Sequence, residues 1–183
     1  MRGKMKIIAF TGLPGSGKSE AVRIAKDKGL LVIRMGDAVW EETKRQGLEL
    51  NDKNVGEVAN SMREKFGMDI WAKRTFERIK SFKKDYIVID GIRNIEEINL
   101  FKKELSDDFI VIAIDASDET RKKRTLSRRR KDDVDNLRSF KERDKRELRW
   151  GLGEVIASAD IVISNEGILQ ELQRKVKDVL NKI

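Results

Sequence analysis

The chain has 183 residues, with 40 Lys and Arg against 32 Asp and Glu, which gives a formal net charge of +8. This length fits a single domain with a real core, no apolar run reaches the roughly 18 residues that a membrane span needs, and no signal peptide opens the chain. The absence of cysteine excludes disulfides and thiolate metal sites, and the absence of histidine excludes imidazole bases and His-ligated zinc. We therefore expect one cytoplasmic domain over residues 1–183, whose chemistry depends on carboxylates, Lys, Arg, hydroxyls, backbone amides or a hard metal ion.

The predicted elements alternate between strands and helices along the chain. Short, continuous apolar runs rich in Ile and Val predict buried parallel strands at Met5–Phe10, Leu30–Met35, Tyr86–Ile89, Phe109–Ile114 and Ile161–Ile163. Apolar residues at three- and four-residue spacing predict helices around residues 55–66, 95–105 and 168–180. This alternation predicts an α/β fold with a doubly wound parallel sheet, which binds its ligands outside the carboxyl ends of the strands.

The strongest motif lies between the first predicted strand and the helix that follows it. Residues 12–19 read Gly-Leu-Pro-Gly-Ser-Gly-Lys-Ser and fill the pattern G-x-x-x-x-G-K-[ST] of a phosphate-binding loop. Its glycines let backbone N–H groups surround a phosphate at a helix N-terminus. Lys18 is predicted to reach the β- and γ-phosphates and Ser19 to ligate Mg²⁺. The predicted nucleotide-binding residues are therefore Gly12, Leu13, Pro14, Gly15, Ser16, Gly17, Lys18 and Ser19.

An acidic residue ends the third predicted strand. Four apolar residues precede Asp90, which fits a strand-terminal aspartate that holds Mg²⁺ or its water opposite a phosphate loop. The other interpretation is an aspartate that caps the following helix. Arg93 comes three residues later, and its guanidinium fits either a phosphate of the acceptor substrate or a surface ion pair with Glu96 or Glu97.

The second predicted strand leads into Gly36 and Asp37. Asp37 fits the N-cap of the next helix and equally well a residue that contacts the acceptor substrate, because it lies at the carboxyl edge of the sheet. Trp40, one helical turn later, fits either a core residue or a platform on which a planar group stacks, and of the two we expect the core.

The charge excess is local. Residues 121–149 hold 14 Lys and Arg against 6 Asp and Glu, so this segment alone accounts for the net +8. Arg124 and Arg128 are four residues apart and share a helical face, and Arg143 belongs to the polar helical pattern that follows. The segment fits either a nucleic-acid patch or an arginine-rich flap that closes over a phosphate-rich ligand; the scarcity of aromatic residues favours the flap. Because residues 131–149 contain few apolar side chains, we expect this part to be mobile unless a ligand holds it.

These residues together resemble the P-loop kinases of small molecules. The stretch Asp90 to Arg93, Asp-Gly-Ile-Arg, is similar to the Asp-Gly-Phe-Pro-Arg stretch of adenylate kinases, with its Arg one residue closer. Arg124, Arg128 and Arg143, with two aspartates between, resemble the arginine-rich lid of those enzymes. Residues 159–167, Ala-Asp-Ile-Val-Ile-Ser-Asn-Glu-Gly, are similar to the Ala-Asp-hydrophobic-x-Asn-x-Gly ending of dephospho-CoA kinases. The full order most resembles an archaeal family of P-loop kinase-like proteins related to both.

The resemblance implies more of the fold and of the site. It implies a three-layer α/β/α P-loop fold with a five-stranded parallel sheet of order 2-3-1-4-5, a small helical substrate segment at about residues 37–82 and a lid at about residues 121–149. It also implies that Asn165 borders the adenine of the donor. One departure concerns the acceptor, since Trp40 follows Gly-Asp-Ala-Val where adenylate kinases carry the Arg that holds the AMP phosphate.

The hypothesis that these observations favour is ATP- and Mg²⁺-dependent phosphoryl transfer to a nucleotide-like small molecule, such as a nucleoside monophosphate or dephospho-CoA. In it, Lys18, Asp90, Arg124, Arg128 and Arg143 are catalytic, Ser19 and Asp90 place the metal, and Asp37 and Arg93 bind the acceptor. The alternative is a nucleotide-binding ATPase or regulatory protein without an acceptor. Neither a membrane nor a nucleic acid is an expected partner, and the oligomeric state is left open.

Overall fold

A computed structural model describes residues 5–127 and 136–183. The strands are β1 (Lys6–Thr11), β2 (Leu31–Arg34), β3 (Tyr86–Asp90), β4 (Phe109–Asp115) and β5 (Ile161–Ser164). Among the described residues the helices are α1 (Lys18–Asp27), α2 (Met35–Arg45), α3 (Asp52–Phe66), α4 (Ile70–Lys80), α5 (Ile95–Leu105), α6 (Asp118–Ser127), α7 (Asn136–Arg149), α8 (Leu152–Ala157) and α9 (Leu169–Lys182). A 3-10 turn at Ser106–Asp108 follows α5.

The strands form one parallel sheet in the order β2-β3-β1-β4-β5. This order and the parallel pairing confirm the predicted fold class. β1 lies at the centre, and its Phe10 pairs with Asp90 at the end of β3. The loop after β1 and the carboxylate that ends β3 therefore meet at the carboxyl edge of the sheet.

The side chains of β1 alternate between two cores, as the two-residue period of a strand requires. Ile7 and Ala9 pack into the core beneath α2, α3, α4, α5 and α8, whereas Ile8 and Phe10 pack against α1 and α9. All four side chains are buried. This burial on both faces explains why the strand reads as a continuous apolar run, and it gives the molecule its three layers.

The stretch that the resemblance assigned to the substrate, residues 37–82, folds as most of α2 together with α3 and α4. Asn51 begins α3 by accepting a 2.9 Å hydrogen bond at its side-chain oxygen from the backbone N–H of Asn54. Asn94 begins α5 in the same way, with 2.9 Å to the N–H of Glu97. Asparagine satisfies an N–H group that the helix itself leaves unpaired, so the cap of α5 is Asn94 and the capping interpretation of Asp90 is wrong.

The helices α6 and α7 flank residues 128–135. These residues, with the predicted lid residue Arg128 among them, lie outside the described part of the chain. Phe140 of α7 is buried, and the other buried or half-buried side chains described in this helix are those of the charged residues Asp144, Arg146 and Glu147. No helix in residues 5–127 and 136–183 is long and apolar enough to cross a membrane.

Candidate active site

The phosphate loop connects β1 to α1 in a backbone conformation that requires glycine. Gly15 has a φ of 82° and Gly17 a φ of 104°, which L-residues with side chains rarely adopt. A Cβ atom at Gly15 would lie 2.8 Å from the carbonyl oxygen of Arg121. Within the described residues the buried hydroxyl of Ser16 has no hydrogen-bond partner. Unpaired buried polar groups are rare, so the loop is shaped to receive a polar ligand.

Lys18 and Asp90 form an ion pair beside this loop. Lys18 is the first residue of α1, and Asp90 ends β3. The side chains are only 16% and 14% exposed, respectively. Burial lowers the pKa of Lys18 from its usual value, and the carboxylate of Asp90 opposes that effect. A phosphate bound in the loop would meet an ammonium group with little water around it, where charge interactions are strong.

The oxygen ligands at the loop fit Mg²⁺. Ser19 follows Lys18 and lines the cleft that opens from the phosphate loop. No group of three or more carboxylates that could hold a metal ion exists among the described residues. Magnesium usually takes one or two protein oxygens and completes its shell with water and substrate phosphates. Asp90 and Ser19 are the residues that would supply those oxygens.

A cleft of about 940 Å³ opens from the phosphate loop. It is lined by the loop itself and by residues of α2, α3, α7 and the segment after β3. Its cationic lining residues are Lys18, Arg34, Arg63, Arg93, Arg143 and Arg146, and its acidic ones are Asp52, Glu97 and Glu147. The excess of positive charge favours anionic ligands.

Arg93 lies in this cleft, as predicted, but its partner differs from the two expected ones. Its guanidinium pairs with Glu147 of α7, and its backbone N–H donates to Glu97 at 2.7 Å. The buried carboxylate of Glu147 also accepts from Nε of Arg143 at 3.1 Å. Glu147 therefore holds both predicted phosphate-binding arginines at the wall of the cleft. The sequence analysis did not identify Glu147 as a site residue.

Arg121 braces the phosphate loop, a role that the sequence did not reveal. Its side chain is 1% exposed and donates to the carbonyl oxygen of Pro14 at 3.0 Å. It also pairs with Asp118 of α6 and, at 2.6 Å, with Asp144 of α7. Its guanidinium lies 5.3 Å from the ring centroid of Phe140. One buried residue thus connects the loop to both helices of the predicted lid.

The predicted residues Arg124 and Asn165 meet each other next to the phosphate loop. Asn165 donates through Nδ2 to the carbonyl oxygen of Ser16 at 2.7 Å, and Arg124 donates to Oδ1 of Asn165 at 3.3 Å and to the carbonyl oxygen of Gly167 at 3.1 Å. Neither side chain lines the cleft. The structure therefore separates Arg124 from Arg93 and Arg143, which do.

Two expectations about the start of α2 need correction. Asp37 is not the N-cap, because α2 already begins at Met35. It is 39% exposed, lies 3.8 Å from Arg34 and does not line the cleft, so its role toward the acceptor stays a prediction. Trp40 is not a core residue: it is 41% exposed, lines the cleft and lies 5.0 Å from the guanidinium of Arg34. The local pattern could not show that its helical face borders a cavity.

A second buried ion pair lines the cleft, between Arg63 of α3 and Glu97 of α5 at 3.3 Å. The sequence carries a signal for this pair. Arg63 lies four residues after Ala59, on the apolar stripe that predicted α3, and Glu97 lies four residues before Phe101 on the stripe of α5. A charged residue on an apolar stripe indicates either a buried pair or a ligand site.

Comparison with known proteins shows which family the chain belongs to. Residues 11–141 match the family described as an AAA domain. A UPF0200 protein of Methanosarcina barkeri is 45% identical over 177 residues, which cover 97% of this chain and 95% of that protein. The chain belongs to the UPF0200 family. A UPF0200/UPF0201 protein of Archaeoglobus fulgidus is 46% identical over 182 residues, which cover 98% of this chain but 56% of that longer protein. These archaeal relatives confirm the resemblance that the motifs indicated.

Two solved kinase structures share the fold. A gluconokinase from Sinorhizobium meliloti aligns with a TM-score of 0.59 at 18% identity, over 100% of this chain and 94% of that one. A shikimate kinase from Aquifex aeolicus aligns with a TM-score of 0.52 at 20% identity, over 96% of each chain. At such identities the likeness shows the fold alone. The chain is a P-loop protein with the fold of small-molecule kinases, a fold that binds nucleotides.

Proposed function

We propose that the chain is a kinase that uses ATP and Mg²⁺ to phosphorylate a nucleotide-like small molecule. The observation that carries this proposal is that the phosphate loop shares a cleft of about 940 Å³ with arginines of α3, α7 and the segment after β3. Its volume is near the upper end of the roughly 300–1,000 Å³ typical of ligand sites, which leaves room for a donor and an acceptor. Hydrolysis of ATP alone would need no site for an acceptor.

In this proposal, the position of each residue in the site determines its role. ATP supplies the phosphoryl group and Mg²⁺ neutralises its oxygens. Lys18 stabilises charge on the transferring group, and a phosphate in the loop would replace Asp90 as its partner, so that Asp90 and Ser19 can hold the metal. Arg93 and Arg143 bind anionic oxygens in the cleft, and Arg124 and Arg128 contribute from the lid. Such a reaction depends mainly on positioning and charge, which this set provides without histidine or cysteine.

The lining of the cleft supports a nucleotide-like acceptor. Trp40 lines it and is 41% exposed, and such an indole ring can stack on a planar group. The two kinases of known structure named above act on gluconate and shikimate according to their names, so carboxylate acceptors belong in the same test.

The test is phosphoryl transfer measured by ³¹P NMR with Mg²⁺, ATP and a panel of nucleoside monophosphates, dephospho-CoA, gluconate and shikimate. We expect one acceptor to yield a phosphorylated product. Lys18→Ala should lower its turnover by about 100-fold or more, because a preorganised charge contact to the transferring group is lost. Lys26→Ala, on the exposed side of the same helix, is the control and should keep the wild-type turnover.

Hydrolysis of ATP at one rate whatever acceptor is present would instead support the alternative, a P-loop ATPase or regulatory protein. Full turnover in the Lys18→Ala protein would contradict the proposed roles.

A further inference from the structure

Arg63 has more hydrogen-bonding capacity than the protein uses. The residue is 5% exposed, and its Nη2 donates to Oε1 of Glu97 at 3.3 Å. Its Nε and Nη1 atoms are buried and have no hydrogen-bond partner among the described residues. An unpaired buried donor is costly, and more so on a charged group. Because Arg63 lines the cleft, a ligand there can provide the missing acceptors.

Glu97 does not provide them in this structure. Its Oε1 accepts from Nη2 of Arg63, and its Oε2 accepts from the backbone N–H of Arg93 at 2.7 Å. Burial raises the pKa of Glu97 and lowers that of Arg63, so the pair does not fully compensate for the loss of water around either group. A further negative charge beside Arg63 would favour its charged form.

Arg146 of α7 reaches the same place from the other side of the cleft. Its Nη1 and Nη2 bind the two carboxylate oxygens of Asp52 at 2.9 and 3.0 Å, which leaves a buried Nε without a hydrogen-bond partner in the described part of the chain. The ring centroid of Trp150 lies 4.4 Å from the guanidinium of Arg63 and 5.6 Å from that of Arg146. The indole is itself fixed, since its N–H donates to Asn60 at 2.6 Å.

We propose that Arg63 and Arg146, held against Trp150, form an oxyanion subsite between α3 and α7 that binds the phosphate or carboxylate group of the acceptor. This inference rests on the proposed kinase function only in that it names the bound molecule as the acceptor. The unpartnered nitrogens indicate an anion site whatever the reaction is. Guanidinium nitrogens suit both phosphate and carboxylate oxygens. The exposed apolar side chains of Trp40 and Leu50 line the same cleft and suit an acceptor with an apolar body beside its anionic group.

The experiment measures the dissociation constants of three probes by calorimetry. The probes are inorganic phosphate, AMP and gluconate, so that a phosphate and a carboxylate are compared. Because the phosphate loop also binds oxyanions, each titration is done with the loop filled by a non-hydrolysable ATP analogue and Mg²⁺, and again in Lys18→Ala without nucleotide. The variants are Arg63→Met and the double variant Arg63→Met/Glu97→Gln, which leaves no unpaired buried carboxylate. Arg174→Met, on the exposed face of α9, is the matched control.

We expect at least one probe to bind the wild-type protein and to bind both Arg63 variants at least tenfold more weakly, because charge-assisted hydrogen bonds are lost. The ATP analogue should bind the Arg63 variants within about twofold of wild type, and the control should change neither constant. Probe affinities unchanged in the double variant, or no binding of any probe to wild type, would overturn the subsite. Failure of the ATP analogue to bind would count against the kinase function instead, while the Lys18→Ala titrations would still decide the subsite.

Discussion

Arg121 binds the Pro14 carbonyl oxygen, Asp118 and Asp144 while its own side chain is 1% exposed. A guanidinium in that position fixes the distance between the phosphate loop and two helices. Its removal would leave Asp144, 14% exposed, without its buried partner. Breaking a buried pair in this way is strongly destabilising, more than the pair itself contributes. Arg121 is therefore expected to affect both the stability of the protein and the shape of the loop.

We predict that Arg121→Met lowers the free energy of unfolding by about 3 kcal/mol, at the lower end of the cost of breaking a buried pair. Affinity for a non-hydrolysable ATP analogue should fall by about tenfold, because the loop loses the donor at Pro14. Urea unfolding and calorimetry measure the two effects. Lys123→Met, on the exposed side of the same helix, serves as the control. Unchanged values for both quantities in the Arg121 variant would show that the brace is dispensable.

At the scale of elements, α7 is fixed chiefly by charge. It contacts α3 through Arg146 and Asp52, the segment after β3 through Glu147 and Arg93, and α6 through Asp144 and Arg121. The sequence showed that this helix has few apolar residues but could not show its ion pairs, which join residues up to 94 positions apart. Such a helix opens more easily than one that buries a wide apolar stripe.

Replacing Glu147 tests this anchoring. Glu147→Gln removes the anion between Arg93 and Arg143, and we expect backbone hydrogen exchange in α7 to become about tenfold faster, which corresponds to roughly 1.4 kcal/mol of local stability. Glu142→Gln, whose partner Arg138 lies on the same helix, should leave exchange nearly unchanged. Equal exchange in the two variants would mean that Glu147 does not anchor the helix.

A buried carboxylate, that of Glu42, links α2 to α4. Glu42 is buried and accepts from Arg45 at 2.6 Å, from Gln46 at 2.8 Å and from Arg74 of α4 at 2.8 Å. The hydrogen bond from Arg45, with those from Gln46 and Arg74, lowers the pKa of Glu42 to about 2. Because the folded pKa lies below the unfolded value, the stabilisation is present above about pH 4.5 and is lost as the pH falls toward 2.

Glu42→Gln should therefore lower the free energy of unfolding at pH 7 by about 1 to 2 kcal/mol. The shift alone corresponds to about 3 kcal/mol, but solvent screens its exposed partners Arg45 and Arg74. The difference from wild type should shrink between pH 4.5 and 2, measured by urea unfolding across that range. Glu41→Gln is the control, because the ion pair of Glu41 with Arg78 of α4 joins the same two helices but is exposed to solvent. A difference that stays constant with pH would exclude an ionic origin.

At the scale of the whole molecule, the sequence predicted the features that depend on local spacing. The strands followed from continuous runs such as Phe109–Ile114, and the phosphate loop from eight consecutive residues. It did not predict which charges meet, because Arg63 with Glu97 and Arg121 with Asp144 join separate elements. The prediction that Trp40 lies in the core was wrong for a similar reason. An apolar residue on a helix gives the same sequence pattern whether its face borders the core or a cleft. Side-chain partners depend on how helices pack, which one sequence does not specify.

The hydrogen bond from Asn165 to the carbonyl oxygen of Ser16 joins residues 149 positions apart. During synthesis on the ribosome, the loop emerges early and β5 emerges after most of the described residues. Contacts between residues so distant in the chain form late, because the intervening segments must be ordered first. Asn165 could therefore form its hydrogen bond to the loop only after β5 had paired with β4. A nascent chain would hold all eight loop residues long before it holds the hydrogen bond that fixes their geometry.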